Sequence, residues 1–139
     1  MKDSALLRSA TVQEIQLELI RRVRFNELDG KKIHASLTAH RDLWQAVLID
    51  RVGIANKDDL RALYSFGLIK LRDVPANSWN ADSLFILTKD HEDARQWVQI
   101  AEKEDWKASD VHVYDSEDEI DRAIGFSPSG NGLVEAWWD

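Results

Sequence analysis

Residues 130–139 read GNGLVEAWWD, and the fold turns on how this stretch is built into the chain. In a helix, the adjacent Trp137 and Trp138 would point about 100° apart; in a strand they point to opposite faces. Alternation places Val134, Ala136 and Trp138 on one uniformly apolar face and Leu133, Glu135 and Trp137 on the other. Aromatic residues suit strands, and a strand that is apolar on both sides belongs between two layers. The spacing therefore predicts a strand over 132–138 that ties this end of the chain into a sheet. One tryptophan is expected to fill the core beneath crossover helices. The other is expected to pack under the N-terminal helices or against a second subunit.

Moving outward from that strand, SLFILT (83–88) is a short continuous apolar run of the kind found in buried strands. Asp90 caps a helix whose Ala94, Trp97, Val98 and Ala101 share a face. DVHVYD (110–115) reads as another strand, and Ser116 with Glu119 opens a short helix carrying Ile120 and Ile124. GFSPSGNG (125–132) is a loop. Strand–helix–strand–helix–strand with short connections predicts parallel pairing through right-handed crossovers.

The first half has a helical period. Thr11 and Glu14 form a capping box, and Val12, Ile15, Leu19 and Val23 recur at helical spacing, widened by Ile20; a helix is predicted over 11–26. Arg21, Arg22 and Arg24 suit its C-terminal dipole, and NELDG ends it at Gly30. Ile33, Leu37, His40, Trp44 and Val47 then step by four, three, four and three, which predicts a second helix over 32–50. Its last part, LWQAVLI (43–49), is also readable as a strand. NKDDLRALYSF (56–66) is a third helix candidate, LIKLRDV (68–74) an edge strand or connector, and PANSWNAD (75–82) a loop. The expected class is α/β or α+β: an N-terminal helical hairpin on a small mixed sheet, with a C-terminal βαβαβ unit. One domain is expected over 1–139, helical over 11–66 and βα-rich over 83–139.

Composition narrows function mostly by exclusion. The chain has 139 residues, enough for a core without covalent staples. It has no Cys, which removes a disulfide framework, a thiol nucleophile and a Cys-based zinc site, and suits a cytoplasmic location. No signal-peptide pattern, membrane-spanning run or lipidation signal is visible. The net charge of −7 disfavours nucleic acid and anionic membranes as partners. The charge is divided: residues 1–72 hold 13 basic and 9 acidic residues, a net of +4, and residues 73–139 hold 5 and 16, a net of −11. The two halves are expected either to attract one another within the fold or to present one of them to a charged partner.

No GxGxxG, Walker A, GxSxG or HExxH motif is present. His40 lies on the apolar stripe of the second helix and reads as a half-buried core histidine. Asp42, two positions on, faces elsewhere and orients it poorly. In open parallel sheets, ligands bind beyond the carboxyl ends of the strands. There the prediction places Thr88, Asp90, His91, Asp115 and Asp139, a set that would suit a hard divalent cation if its carboxylates converged. Capping accounts for Asp90 without a ligand, and Asp115 sits just before a capping box. Trp79, in a polar loop, and the terminal Trp137 and Trp138 are the candidate interface residues. The sequence thus supports a non-enzymatic protein-interaction or regulatory domain with no metal and no cofactor. Its expected partner is another protein or a second copy in a homodimer. The alternative is a small enzyme, or a ligand- or metal-binding domain, using the strand-end carboxylates. A nucleic-acid surface through Arg21, Arg22, Arg24, Lys31 and Lys32 would need those side chains exposed and unpaired.

Overall fold

The computed structural model describes residues 4–51, 68–125 and 130–139. The helix candidate at 56–66 and part of the 125–132 loop lie outside the described residues. Helices α1 (Ser4–Ser9) and α2 (Val12–Arg22) are followed by a two-residue hairpin, β1 (Arg24–Phe25) and β2 (Leu28–Asp29). Then come α3 (Gly30–Ala39), β3 (Ala46–Asp50), α4 (Lys70–Asp73), β4 (Ser83–Thr88), α5 (His91–Lys103), β5 (Asp110–Tyr114), α6 (Glu117–Ala123) and β6 (Gly132–Trp137). No described helix is long and apolar enough to cross a membrane.

The chain mixes helix and sheet, with a helical N-terminal region and a four-stranded sheet of order β3-β4-β6-β5. Every neighbouring pair is antiparallel, which corrects the expected parallel βαβαβ unit and the mixed sheet. The connection through α5 is nevertheless a crossover. β4 and β5 both run opposite to β6, so they run parallel to each other, and β6 fills the gap between them. This is a split βαβ arrangement.

The register fixes two faces. On the inner face, Val47, Ile86, Val134 and Val113 lie in one row, and Ile49, Leu84, Ala136 and Val111 in the next. The first three members of each row are buried. They join Ile20, Val23, Ile33, Leu37, Ala94, Trp97 and Trp106 from the helical layer in one core. The outer face carries Ala46, Leu87, Leu133 and Tyr114, then Leu48, Phe85, Glu135 and His112, then Asp50, Ser83, Trp137 and Asp110. The two terminal tryptophans separate as alternation requires. Trp138 is buried on the inner side, and Trp137 is 39% exposed on the outer side.

Four buried tryptophans bind the helices to the inner face, and each indole N–H has an acceptor, as burial of a polar tip demands. Trp44 donates to the Leu37 carbonyl, Trp97 to Leu43, Trp106 to the Ser36 hydroxyl and Trp138 to the Trp106 carbonyl. The Trp97, Trp106 and Trp138 rings follow one another at centroid spacings of 5.8 and 6.4 Å.

The N-terminal elements depart from the expected hairpin of two long helices. The Thr11–Glu14 capping box forms, and α2 ends at Arg22. Asn26, at φ 50°, turns the β1–β2 hairpin within NELDG, and Gly30 starts α3 instead of ending α2. The predicted helix over 32–50 stops at Ala39, and its last five residues are the strand β3. The stretch 70–73, read as an edge strand or connector, is the short helix α4.

The side of α2 that meets the sheet is also rotated from its apolar stripe. Val12 and Ile15 are exposed, whereas Gln13 and Gln16 reach β3. The Gln13 amide accepts from Val47 N–H and donates to Val47 C=O, and Gln16 accepts from Ile49 N–H. A primary amide offers the donor and acceptor of a peptide unit, so these glutamines seal the outer edge of β3 as another strand would.

Candidate functional site

The outer face holds a cleft of about 430 Å³. Its floor is the row Ala46, Leu87, Leu133 and Tyr114 together with Leu48 and Phe85, and Ala123 and Ile124 wall it at the end of α6. The residues that make this floor apolar are the outward-pointing members of strands whose inward-pointing members build the core. Asp50 and Arg51 stand at its rim. Concave, mostly apolar volumes of roughly 300–1,000 Å³ with few polar groups are the usual form of a binding pocket.

The polar groups around the cleft are matched to one another. The Tyr114 hydroxyl donates to Glu135 at 2.7 Å. Burial first, and then the Glu135 carboxylate, push the phenol up to about 12. Asp50 pairs with Lys70; burial raises its carboxyl, but Lys70 and Arg51 outweigh that, and the net shift is downward. Asp82 moves the other way. Burial lifts its pKa, and hydrogen bonds from Ser83 and Trp137 only partly offset the rise.

The Tyr114 shift has a sign that can be tested. A phenol whose folded pKa is raised holds its proton more tightly in the native state. Its contribution is therefore complete below the unfolded value of 10.0 and is lost as pH rises through about 12. In a Tyr64→Phe background, the ultraviolet titration of the remaining tyrosine is expected to have its midpoint near 12. Glu135→Gln should return the midpoint toward 10, because it removes the neighbouring anion. A midpoint already at 10 in the Tyr64→Phe protein with Glu135 in place would contradict the contact.

The residues expected beyond the strand ends do not converge. β6 runs antiparallel, so Asp139 leaves the sheet at the end opposite to Thr88 and Tyr114. Its backbone N–H is bound by Ser109, and its carbonyl accepts from Asn26. Thr88 is buried and donates to the Asp90 carbonyl, Asp90 caps α5 through Asp93 N–H, and His91 is the first residue of that helix. Asp115 is exposed just before α6. Among the described residues, no group of three or more His, Asp or Glu is placed to hold a metal ion. Of the expected interface residues, Trp138 is core, Trp137 lies half-exposed on the outer face, and Trp79 packs partly buried beneath the Lys70 ammonium at 5.0 Å.

The basic surface is largely paired. Arg21 and Arg22 both engage Glu18, Arg24 pairs with Asp29, and Lys32 donates to the Asp105 carbonyl. His40 caps the end of α3 and meets Glu104 at 2.6 Å, a partner 64 positions away that its own helix could not supply. Ser36 donates to the same carboxylate at 2.5 Å. Burial raises the Glu104 carboxyl, but Ser36 and His40 together bring it below its ordinary value. The carboxylate stands between hydroxyl and imidazole, so this cluster ties α3 to the end of α5 and does not set a base against a nucleophile.

No protein-family model, curated protein or solved structure matches the chain. Sequence reasoning missed the Tyr114–Glu135 and His40–Glu104 pairs, since each joins residues whose proximity depends on tertiary register. The cleft floor was missed as well, because 46–48 reads as part of a helix and the floor exists only once four strands are in register.

Proposed function

We propose that the chain is a non-enzymatic binding module and that the outer-face cleft receives an apolar side chain of a partner protein. The observation that carries this reading is the apolar row Ala46–Leu87–Leu133–Tyr114 lining a cleft on one face of a sheet whose other face is already covered by helices. Leu48, 44% exposed beside that row, adds area that water would otherwise wet. The flanking polar groups are tied to one another, which suits orienting a ligand more than transforming one. The test is a selection of displayed random peptides against the folded protein. Peptides sharing one large apolar residue should be enriched, and Leu48→Asp, which alters an exposed position, should weaken them about tenfold, or about 1.4 kcal/mol. Enrichment indifferent to Leu48→Asp would overturn the reading.

Self-association is a second reading, favoured by the exposure of Leu6 and Leu7 on α1 and of Val12 and Ile15 on α2. Apolar area of that kind, and not surface ion pairs, would have to hold a homodimer together. Light scattering that gives the monomer mass at high protein concentration and low salt would remove it.

A further inference from the structure

The two edges of the sheet are treated differently. β3 is sealed by Gln13 and Gln16, whereas β5 has a strand partner on one side only among the described residues. Its five residues, Asp-Val-His-Val-Tyr, keep a continuous register with β6. They include no proline, no lysine and no bulge, the devices that usually protect an edge from pairing. Val111 and Val113 are only partly buried at the margin of the core, so an added strand would cover them.

The surroundings specify the charge of what is added. Asp110 opens β5, Asp115 directly follows it, and Glu117, Asp118 and Glu119 open the next helix. Glu119 lies close enough to help raise the Tyr114 phenol. Arg122, in the last turn of the same helix, is paired with Asp118. A second copy of β5 fits poorly. Antiparallel self-pairing about His112 would set Asp110 of each copy opposite Tyr114 of the other, one position from Asp115, and would bring two acidic flanks together with no basic partner between them, which destabilises the pairing.

We propose that the β5 edge takes an extended, basic segment of a partner protein as a fifth strand. Alternate apolar side chains would cover Val111 and Val113, and the intervening lysines or arginines would face the acidic side chains. Backbone hydrogen bonds supply affinity in this mode of recognition, and alternating side chains supply selectivity. The site adjoins the cleft through Tyr114, which belongs to both, but their other residues differ, so the two can fail separately.

The probe is the synthetic heptapeptide acetyl-Lys-Val-Lys-Val-Lys-Val-Lys-amide, titrated into the ¹⁵N-labelled protein at low salt. The expected result is saturable shifts centred on the amides of 110–115. Asp110→Asn with Asp115→Asn, both at exposed positions, should weaken binding several-fold, and so should added salt. N-methylation distinguishes a strand from an ionic encounter. In an added strand, alternate N–H groups face β5, so methylating one alternate set should abolish binding and methylating the other should leave it within about twofold. Equal effects of the two sets, shifts centred away from β5, or no saturation would each overturn the proposal. So would protection of the β5 amides in the free protein that disappears on dilution, because a second copy would then hold the edge. Leu48→Asp is expected to leave heptapeptide binding unchanged, which keeps this test separate from that of the cleft.

Discussion

Gly30→Ala is expected to destabilise the protein by about 3 kcal/mol or more, although helix propensity alone predicts a gain of nearly 1 kcal/mol for alanine in place of glycine. Gly30 is the first residue of α3, and its backbone needs no left-handed conformation. The requirement is space. A Cβ at this position would lie 2.2 Å from the Ile20 carbonyl oxygen and 2.6 Å from that of Val23, both at the end of α2. Those atoms are backbone and cannot rotate away, and Gly30 N–H donates to the same Val23 carbonyl at 3.0 Å. Relief would require α2 and α3 to separate, which would open the contacts of Ile20, Val23, Ile33 and Leu37. Chemical denaturation reads the effect directly. A variant as stable as the wild type would show that α2 and α3 do not approach as described.

Trp138→Ala should cost about 3–5 kcal/mol, and Trp137→Ala about 1. The two side chains are adjacent in sequence, so composition and local propensity cannot separate them; only the face can. Trp138 is 1% exposed, stacks on Trp106 and donates to the Trp106 carbonyl at 2.9 Å. Truncation leaves a cavity beside the Trp97–Trp106 contact and an unsatisfied carbonyl. Trp137 keeps 39% of its surface in water on the outer face, and its indole helps hold Asp82. Trp138→Phe should recover much of the loss but not the hydrogen bond, roughly 1–2 kcal/mol of it. Equal costs for the two alanine variants would place both rings in the same environment and contradict the strand.

The elements of the second half were legible because each carries its own local signal. The apolar run at 83–88, the Asp90 and Ser116 caps and the alternation at 132–137 all depend on near neighbours. Pairing direction has no such signal. A short connection after α5 suggested adjacent parallel strands, yet β6, the last strand in the sequence, inserts between β4 and β5. The misread segment was 40–50. Ile33, Leu37, Trp44 and Val47 are indeed all buried, as a helical stripe would have them, but two structures share that pattern. The helix ends at His40, Trp44 turns back to the Leu37 carbonyl, and Val47 and Ile49 then alternate inward along a strand. Pairing with β4 and with two glutamines of α2 outweighs the local helical period. The cleft was hidden for the same reason, because its floor is assembled across four strands.

Backbone amide shifts recorded with a cleft-selected peptide test the proposal that the outer face of the sheet binds a partner. The largest saturable shifts are expected on Ala46, Leu48, Phe85, Leu87, Tyr114, Ile124 and Leu133, with the helical layer from Gly30 to Ala39 unmoved. Shifts confined to the α1–α2 surface around Leu6, Leu7, Val12 and Ile15, with the cleft residues silent, would contradict it.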